Sequence, residues 1–206
     1  MENAITASPG PRSPGRPREF DLDRALDRAI GAFSEDGYAA TSLGKLTAAM
    51  EIAEGSLYKA FHDKRGVFLA AFERYVRLRA ERLAQALASA RTGRDKIRAM
   101  LAVYAEVSHG KAGRRGCLVL GCAVDLASSD PEMATRVTAV IAGQERRLAG
   151  FIREGQNDGS VSSRADAAVT ARLLLCVLQG MRVLGKTGRS RAEMASLVDS
   201  ALKLLD

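Results

Sequence analysis

TSLGKLTAAMEIAEGSLYKAFHDK, residues Thr41 to Lys64, decides how the rest of the chain is read. It divides into two short helices around a tight turn. The first places Leu43, Leu46, Thr47 and Met50 on one face of a helical repeat. The second places Leu57 and Phe61 four residues apart, with Ile52 in the turn. Gly55, Ser56, Lys59 and one side of Tyr58 are left facing outward. A short helix that buries one face on its neighbour and offers small and polar residues on the other has the shape that enters a DNA major groove.

Working back from this stretch, Leu22, Leu26, Ala29, Ile30 and Phe33 predict a helix over Phe20 to Asp36, capped by Asp21 and stopped by Gly37. Tyr38 then packs back into a small core. Thr41 or Ser42 caps the following helix, and either hydroxyl can also reach a DNA phosphate. Gly44 inside that helix costs about 1 kcal/mol relative to Ala, which close packing on the first helix would explain. Residues 1–19 hold four of the five prolines among Gly, Ser and Arg, a composition expected to stay disordered. Within it, Gly15-Arg16-Pro17-Arg18 has two readings. It is a solubilising tail, or it places Arg16 and Arg18 in a minor groove.

The totals fit an all-α protein. Of 206 residues, 47% are hydrophobic and only 5% aromatic, so the core must be built from aliphatic side chains of high helix propensity. No run of about eighteen apolar residues suggests a membrane span, and no apolar signal core opens the chain. A cytoplasmic protein with no membrane partner is expected. Three cysteines, Cys117, Cys122 and Cys176, make neither a disulfide framework nor a zinc pattern. The net charge is +7, but its distribution does not argue for DNA. Residues 1–65 hold nine Lys/Arg against ten Asp/Glu, a net of −1, while residues 66–206 hold twenty-two against fourteen, a net of +8. The DNA reading rests on the motif.

Helix, Gly-Tyr, Thr-Ser, short helix, then Gly-Ser-Leu-Tyr-x-x-Phe-x-x-Lys resembles the N-terminal domain of the TetR/AcrR family of transcriptional regulators over Arg18 to about Ala71. The resemblance implies a three-helix helix-turn-helix domain over 20–65. It also implies a helical effector-binding and dimerisation domain over 66–206, with about nine helices in all. Thr41, Ser42, Gly55, Ser56, Tyr58, Lys59 and Lys64 would meet bases or backbone of a double-stranded operator. Three departures stand out. Glu51 occupies a turn position usually held by Gly, at a cost of about 1 kcal/mol if φ is positive. Ala53 replaces a hydroxyl cap, forfeiting about 1 kcal/mol. Glu54 stands where a base is common, and would face the groove and accept from cytosine N4.

Downstream, Lys64 to about Ala90 predicts a connector helix with Phe68, Phe72, Tyr75, Leu83 and Leu87 inward, and Arg74, Arg77, Arg79 and Arg82 on a solvated outer face. Gly93 reads as a break before a helix over Asp95–His109. Gly110–Gly116 reads as a flexible basic loop. The apolar run Cys117–Ala127 reads as buried, with helix favoured over an isolated strand. Asp130-Pro131 starts a helix running to about Asn157. Helices over Asp166–Lys186 and Arg191–Leu205 are apolar over a wide arc. The family resemblance implies that these last two form a homodimer interface, here through Val169, Cys176, Val177, Gly180, Leu184, Met194, Leu197, Val198 and Ala201.

A repressor of this kind needs a switch. Phe72, Tyr75, Tyr104, Cys117, Gln144, Phe151 and Gln179 are the candidate contacts for a small-molecule effector, expected to be apolar or weakly polar. Cys117 follows a basic loop and opens a helix, so Lys111, Arg114 and Arg115 could lower its pKa. Gly116-Cys117-Leu118 followed by Asp-Pro-Glu-Met resembles a branch in which some members sense electrophiles or oxidants at this place. A buried inert thiol is the other reading. Two alternatives remain in function: release by modification of Cys117, or a helical ligand-binding protein with weakened DNA binding. No enzyme or cofactor motif is present, and Glu106 with His109 is an isolated metal-ligand spacing.

Overall fold

The Asp21 carboxylate accepts from the backbone N–H groups of Asp23 and Arg24 at 3.0 and 3.2 Å, starting α1 (Leu22–Ala40) as a side-chain cap should. The computed structural model describes residues 21–206, so Phe20 and the basic arm with Arg16 and Arg18 lie outside the described residues. Gly37 breaks the path of α1 at φ 81° and ψ 170°, a conformation that L side chains rarely adopt. The break returns Tyr38 onto Phe33 and Phe68, with ring centroids 6.1 and 4.9 Å away. α2 (Leu43–Met50) and α3 (Glu54–Phe61) complete the first unit by burying Leu46, Met50, Leu57 and Phe61 against α1 and α4.

α4 (Lys64–Leu87) belongs to both halves of the molecule. Its first turns place Val67, Phe68, Ala71 and Phe72 in the lower core, and Leu83 sits in the upper one. Arg74 is not on a solvated face. It is buried, with Nε 2.7 Å from Asp27 and Nη1 2.8 Å from Asp23, which ties α4 to α1. The lower core runs past residue 65, since Leu118, Val119, Cys122, Met133 and Val137 complete it.

The upper half comprises α5 (Gly93–Glu106), α6 (Gly110–Arg115), α7 (Leu118–Asp125), α8 (Pro131–Asp158), α9 (Ala167–Gly185) and α10 (Arg191–Leu202), closed by a 3₁₀ turn over Lys203–Leu205. The described residues therefore hold ten α-helices and no strand; the additional one is α6, where a loop was expected. Gly93 does not break the chain. It opens α5 behind a Thr92/Asp95 capping box and lies against the Gly155 backbone of α8. The Cys117–Ala127 run is helical but not wholly buried. Leu118, Val119 and Cys122 face inward, whereas Val124 is 73% exposed.

Candidate DNA-reading face and ligand cavity

Ser42, not Thr41, caps α2, accepting from Lys45 N–H at 3.1 Å. Thr41 is fully buried, and its hydroxyl donates to the Gly37 carbonyl at 2.6 Å. That hydroxyl, expected at a phosphate, holds the Gly37 kink near the end of α1. Glu54, Gly55, Tyr58 and Lys59 are exposed and share one face of α3 by helical spacing, with Ser56 half-buried beside them. Leu57 and Phe61 anchor the opposite face. Lys64 lies across the Tyr38 ring at 4.4 Å and donates to the Ala39 carbonyl at 3.3 Å, so it braces the kink from the start of α4. Gly44 is exposed with nothing within 4 Å of a Cβ built on it. Close packing on α1 is not the reason for that glycine.

The unusual turn keeps the geometry its sequence resists. Glu51 is left-handed at φ 57° and ψ 45°. Its carboxylate meets Arg28 at 2.6 Å, and the same guanidinium donates to the Met50 carbonyl at 3.4 Å. The ion pair is mostly exposed, so it offsets only part of a cost of about 1 kcal/mol. Ala53 caps α3 with no side-chain hydrogen bond. Glu54 makes no ion pair among the described residues. Glu54→Ala is expected to change the ranking of operator variants by about 1–3 kcal/mol, chiefly at a cytosine. An unchanged ranking in competition binding would overturn that role.

A cavity of about 350 Å³ lies between α4, α5, α7, α8 and α9. Tyr75, Tyr104, Cys117, Gln144 and Gln179 line it as expected, and the Gln179 amide donates to Gln144 at 2.9 Å. Phe72 and Phe151 do not line it. Phe72 is packed in the lower core and Phe151 in the upper. The lining is not purely apolar or weakly polar, because Arg79 and Arg147 are also part of it. Arg79 was in register with Tyr75, one turn away on α4, but its charge suggested solvent. Its guanidinium carbon lies 5.6 and 5.2 Å from the ring centroids of Tyr75 and Tyr104.

Cys117 is the N-cap of α7 and is half-buried. Burial pushes its thiol up. The nearby Arg182 charge, a hydrogen bond from Tyr75, the Leu120 N–H and Arg79 more than cancel this, leaving its pKa below the ordinary thiol value. The basic segment before it is not the cause. Arg115 pairs with Glu35 at 3.1 Å, and Lys111 and Arg114 are exposed. Burial pushes the Tyr75 phenol up, so it stays protonated and meets the Cys117 sulfur at 3.4 Å. Arg182, only 2% exposed on α9, donates to the Val107 and Gly116 carbonyls and contacts Ser108 Oγ at 3.4 Å. Cys122 differs: burial raises its thiol to about 11.

α9 presents an apolar outer face. Val169 and Leu173 are 54% and 45% exposed, and Cys176, Val183 and Leu184 continue the exposed stripe, with Val177 and Gly180 half-buried. Among the described residues α9 alone is long and apolar enough to cross a membrane, but Leu174, Leu178 and Met181 on its other face are core. α10 contributes less to this surface than its sequence suggested. Met194, Val198 and Ala201 are buried in the upper core of their own chain, and Leu197 is half-buried.

Comparison with known proteins agrees with this architecture. A profile described as "Bacterial regulatory proteins, tetR family" matches residues 25–71, and one described as "Tetracyclin repressor-like, C-terminal domain" matches residues 93–201. The HTH-type transcriptional repressor ComR of Escherichia coli K12 is 30% identical over 194 residues, spanning 94% of this chain and 92% of that protein. Among solved structures, a cysteine-substituted form of the regulator CifR bound to 26-base-pair operator DNA superposes with a TM-score of 0.80 at 31% identity, covering 93% of this chain and 100% of that one. FadR of Bacillus subtilis in complex with stearoyl-CoA shares the fold, with a TM-score of 0.70 at 17% identity over 90% of this chain and 97% of that one. The chain belongs to the TetR family of DNA-binding transcriptional regulators.

Proposed function

We propose that this regulator is a repressor. It holds a palindromic operator as a homodimer, and a small molecule filling the cavity releases it. The carrying observation is the continuity of α4. The helix begins at Lys64 beside the Tyr38 kink, and eleven residues on it becomes the cavity wall at Tyr75. A ligand that tilts α4 therefore displaces α3, and the spacing of two recognition helices in a dimer no longer fits the operator. A second tie runs between Arg65 on α4 and Asp130 and Glu132 at the start of α8, at 3.1 and 2.7 Å. α8 also lines the cavity, at Gln144 and Arg147.

In this reading Ser42, Glu54, Gly55, Ser56, Tyr58 and Lys59 meet DNA, joined by Lys64 if it leaves the Ala39 carbonyl. Residues 20–65 serve as the reading unit and 66–206 as the sensing and dimerising unit. The α9 stripe meets its two-fold mate, a non-enzymatic role suited to the cytoplasm. The operator complex formed by CifR supports the first half of this account, and the ligand complex formed by FadR is an instance of the fold accommodating an effector. A gel shift on the DNA flanking its own gene tests it. Specific, strongly salt-dependent binding is expected. Weak binding to every duplex alike would favour the alternative of a helical ligand-binding protein.

Cys117 supports a second trigger. A thiol with a lowered pKa opening on the cavity can be alkylated or oxidised where a reversible ligand would otherwise sit. Cys117 is expected to react with iodoacetamide faster than free cysteine at pH 7, and Cys117→Ser to lose any response to electrophiles. A slow reaction with the response retained would leave Cys117 a structural residue.

A further inference from the structure

We infer that the cavity between α4, α5 and α8 binds a small organic anion, a monocarboxylate with an apolar body, clamped by Arg79 and Arg147. The inference rests on the ligand-release reading of this cavity and names the chemistry of its occupant. Two arginines line the cavity, and no Asp or Glu does. Elsewhere in the upper half some arginines have a carboxylate within reach, such as Arg94 with Asp206 at 2.7 Å and Arg172 with Glu145 at 3.1 Å, and others, such as Arg146 and Arg153, do not line the cavity at all. Among the described residues Arg79 and Arg147 have none.

Arg79 is half-buried and fixed beside two tyrosine rings, so its charge cannot swing freely into water. Arg147 is exposed and stands at the rim. A third guanidinium adds to the field. Arg182 is buried next to Cys117, and its Nε has no hydrogen-bond partner among the described residues. Arg79 stands over the Tyr104 ring at 5.2 Å, and Arg147 lines the same cavity. Positive charge that is partly desolvated, as at Arg79, is costly without a counter-ion; a carboxylate accepting from Arg79 offsets that cost, and Arg147 at the rim adds a second donor.

The remainder of the lining selects the ligand's other end. Leu83, Met100, Val103 and Val140 form an apolar wall, and about 350 Å³ suits a body of drug-fragment size. That space is too small for a coenzyme-linked chain. Cys117, which lines the same cavity, is the competing counter-ion wherever its thiol is ionised. If it already neutralised the arginines, removing it would strengthen the binding of an added anion.

Isothermal titration of the full-length protein with hexanoate, benzoate and 4-phenylbutyrate, each beside its neutral primary amide, tests the assignment. At least one carboxylate is expected to bind with a Kd below about 1 mM, and its amide about tenfold more weakly. Arg79→Met and Arg147→Gln should each weaken the carboxylate by about tenfold or more, while Cys117→Ala binds it no more weakly. Arg147 lies at the exposed rim, so its variant tests the idea even if Arg79→Met fails to fold. Equal binding of acid and amide, no binding by any of the three acids, or unchanged affinity in Arg147→Gln would each overturn it. Carboxylate binding that leaves the operator complex intact would support the anion assignment and contradict the release reading. Operator release by a neutral compound, without carboxylate binding, would do the reverse.

Discussion

Leu173→Asp is expected to raise the dimer dissociation constant by about 100-fold or more and to remove high-affinity operator binding with it. Leu173 lies mid-stripe on α9, 45% exposed in the single chain, with Val169 one turn before it and Cys176 and Val177 one turn after. A two-fold interface is self-complementary, so one substitution places two carboxylates in the same apolar seam. Each would be desolvated without a partner. The fold of the subunit should survive, because Leu173 is not part of its own core. Sedimentation velocity reports the dimer, and thermal unfolding at low concentration reports the subunit. A dimer of unchanged strength would move the interface off α9.

Gly93→Ala is expected to destabilise the subunit itself by about 3 kcal/mol, or roughly 10 °C in Tm. A Cβ at Gly93 would lie 2.1 Å from the Gly155 backbone nitrogen and 2.4 Å from the Phe151 carbonyl oxygen. Both are backbone atoms of α8, so no rotamer change relieves the clash. Relief requires separating α5 from α8, which together hold Ile97, Leu101, Leu148 and Ile152 in the upper core. Separation would also stretch the 2.8 Å hydrogen bond from Gly93 N–H to the Asp158 carboxylate. Scanning calorimetry measures the change, and a Tm within about 2 °C of the parent would mean that the helices are not held at this distance.

These two sites differ in how far they could be read from the sequence. The α9 stripe was legible because an apolar arc wider than one contact requires a second partner. Helix starts were legible where a cap chemistry exists, as at Asp21 and Asp130-Pro131. The same arc reasoning failed on α10, whose Met194, Val198 and Ala201 turn inward onto the subunit's own core. Periodicity counts the contacts a helix needs but does not say which chain supplies them. Gly93 looked like a helix breaker because its reason lies sixty-two residues away, at Gly155. Three glycines made α6 look like a loop, although Gly113 is what lets that short helix sit on the Ser108 backbone. Arg74 was read as solvated because its partners, Asp23 and Asp27, are on another helix.

The exposed face of α3, proposed to read DNA, was the most legible surface, since α2 and α3 are local and their exposed residues follow from which ones are buried. Thr41 was the error there: adjacent hydroxyls cannot be ranked as caps until the kink at Gly37 decides which one turns inward. The cavity was half legible. Its aromatic and amide residues followed from helical spacing, but its arginines did not, because charge on an otherwise apolar stripe reads as solvent exposure until a cavity is seen behind it.

The central claim is that α3 reads DNA as one half of a symmetric pair. Selection of full-length protein on a pool of random duplexes tests it most directly. Enrichment of two inverted copies of one half-site, centred about 34 Å or one helical turn apart (or a whole multiple of that), is the predicted result. A pool that enriches no sequence, or that enriches a single half-site without an inverted mate, would contradict it.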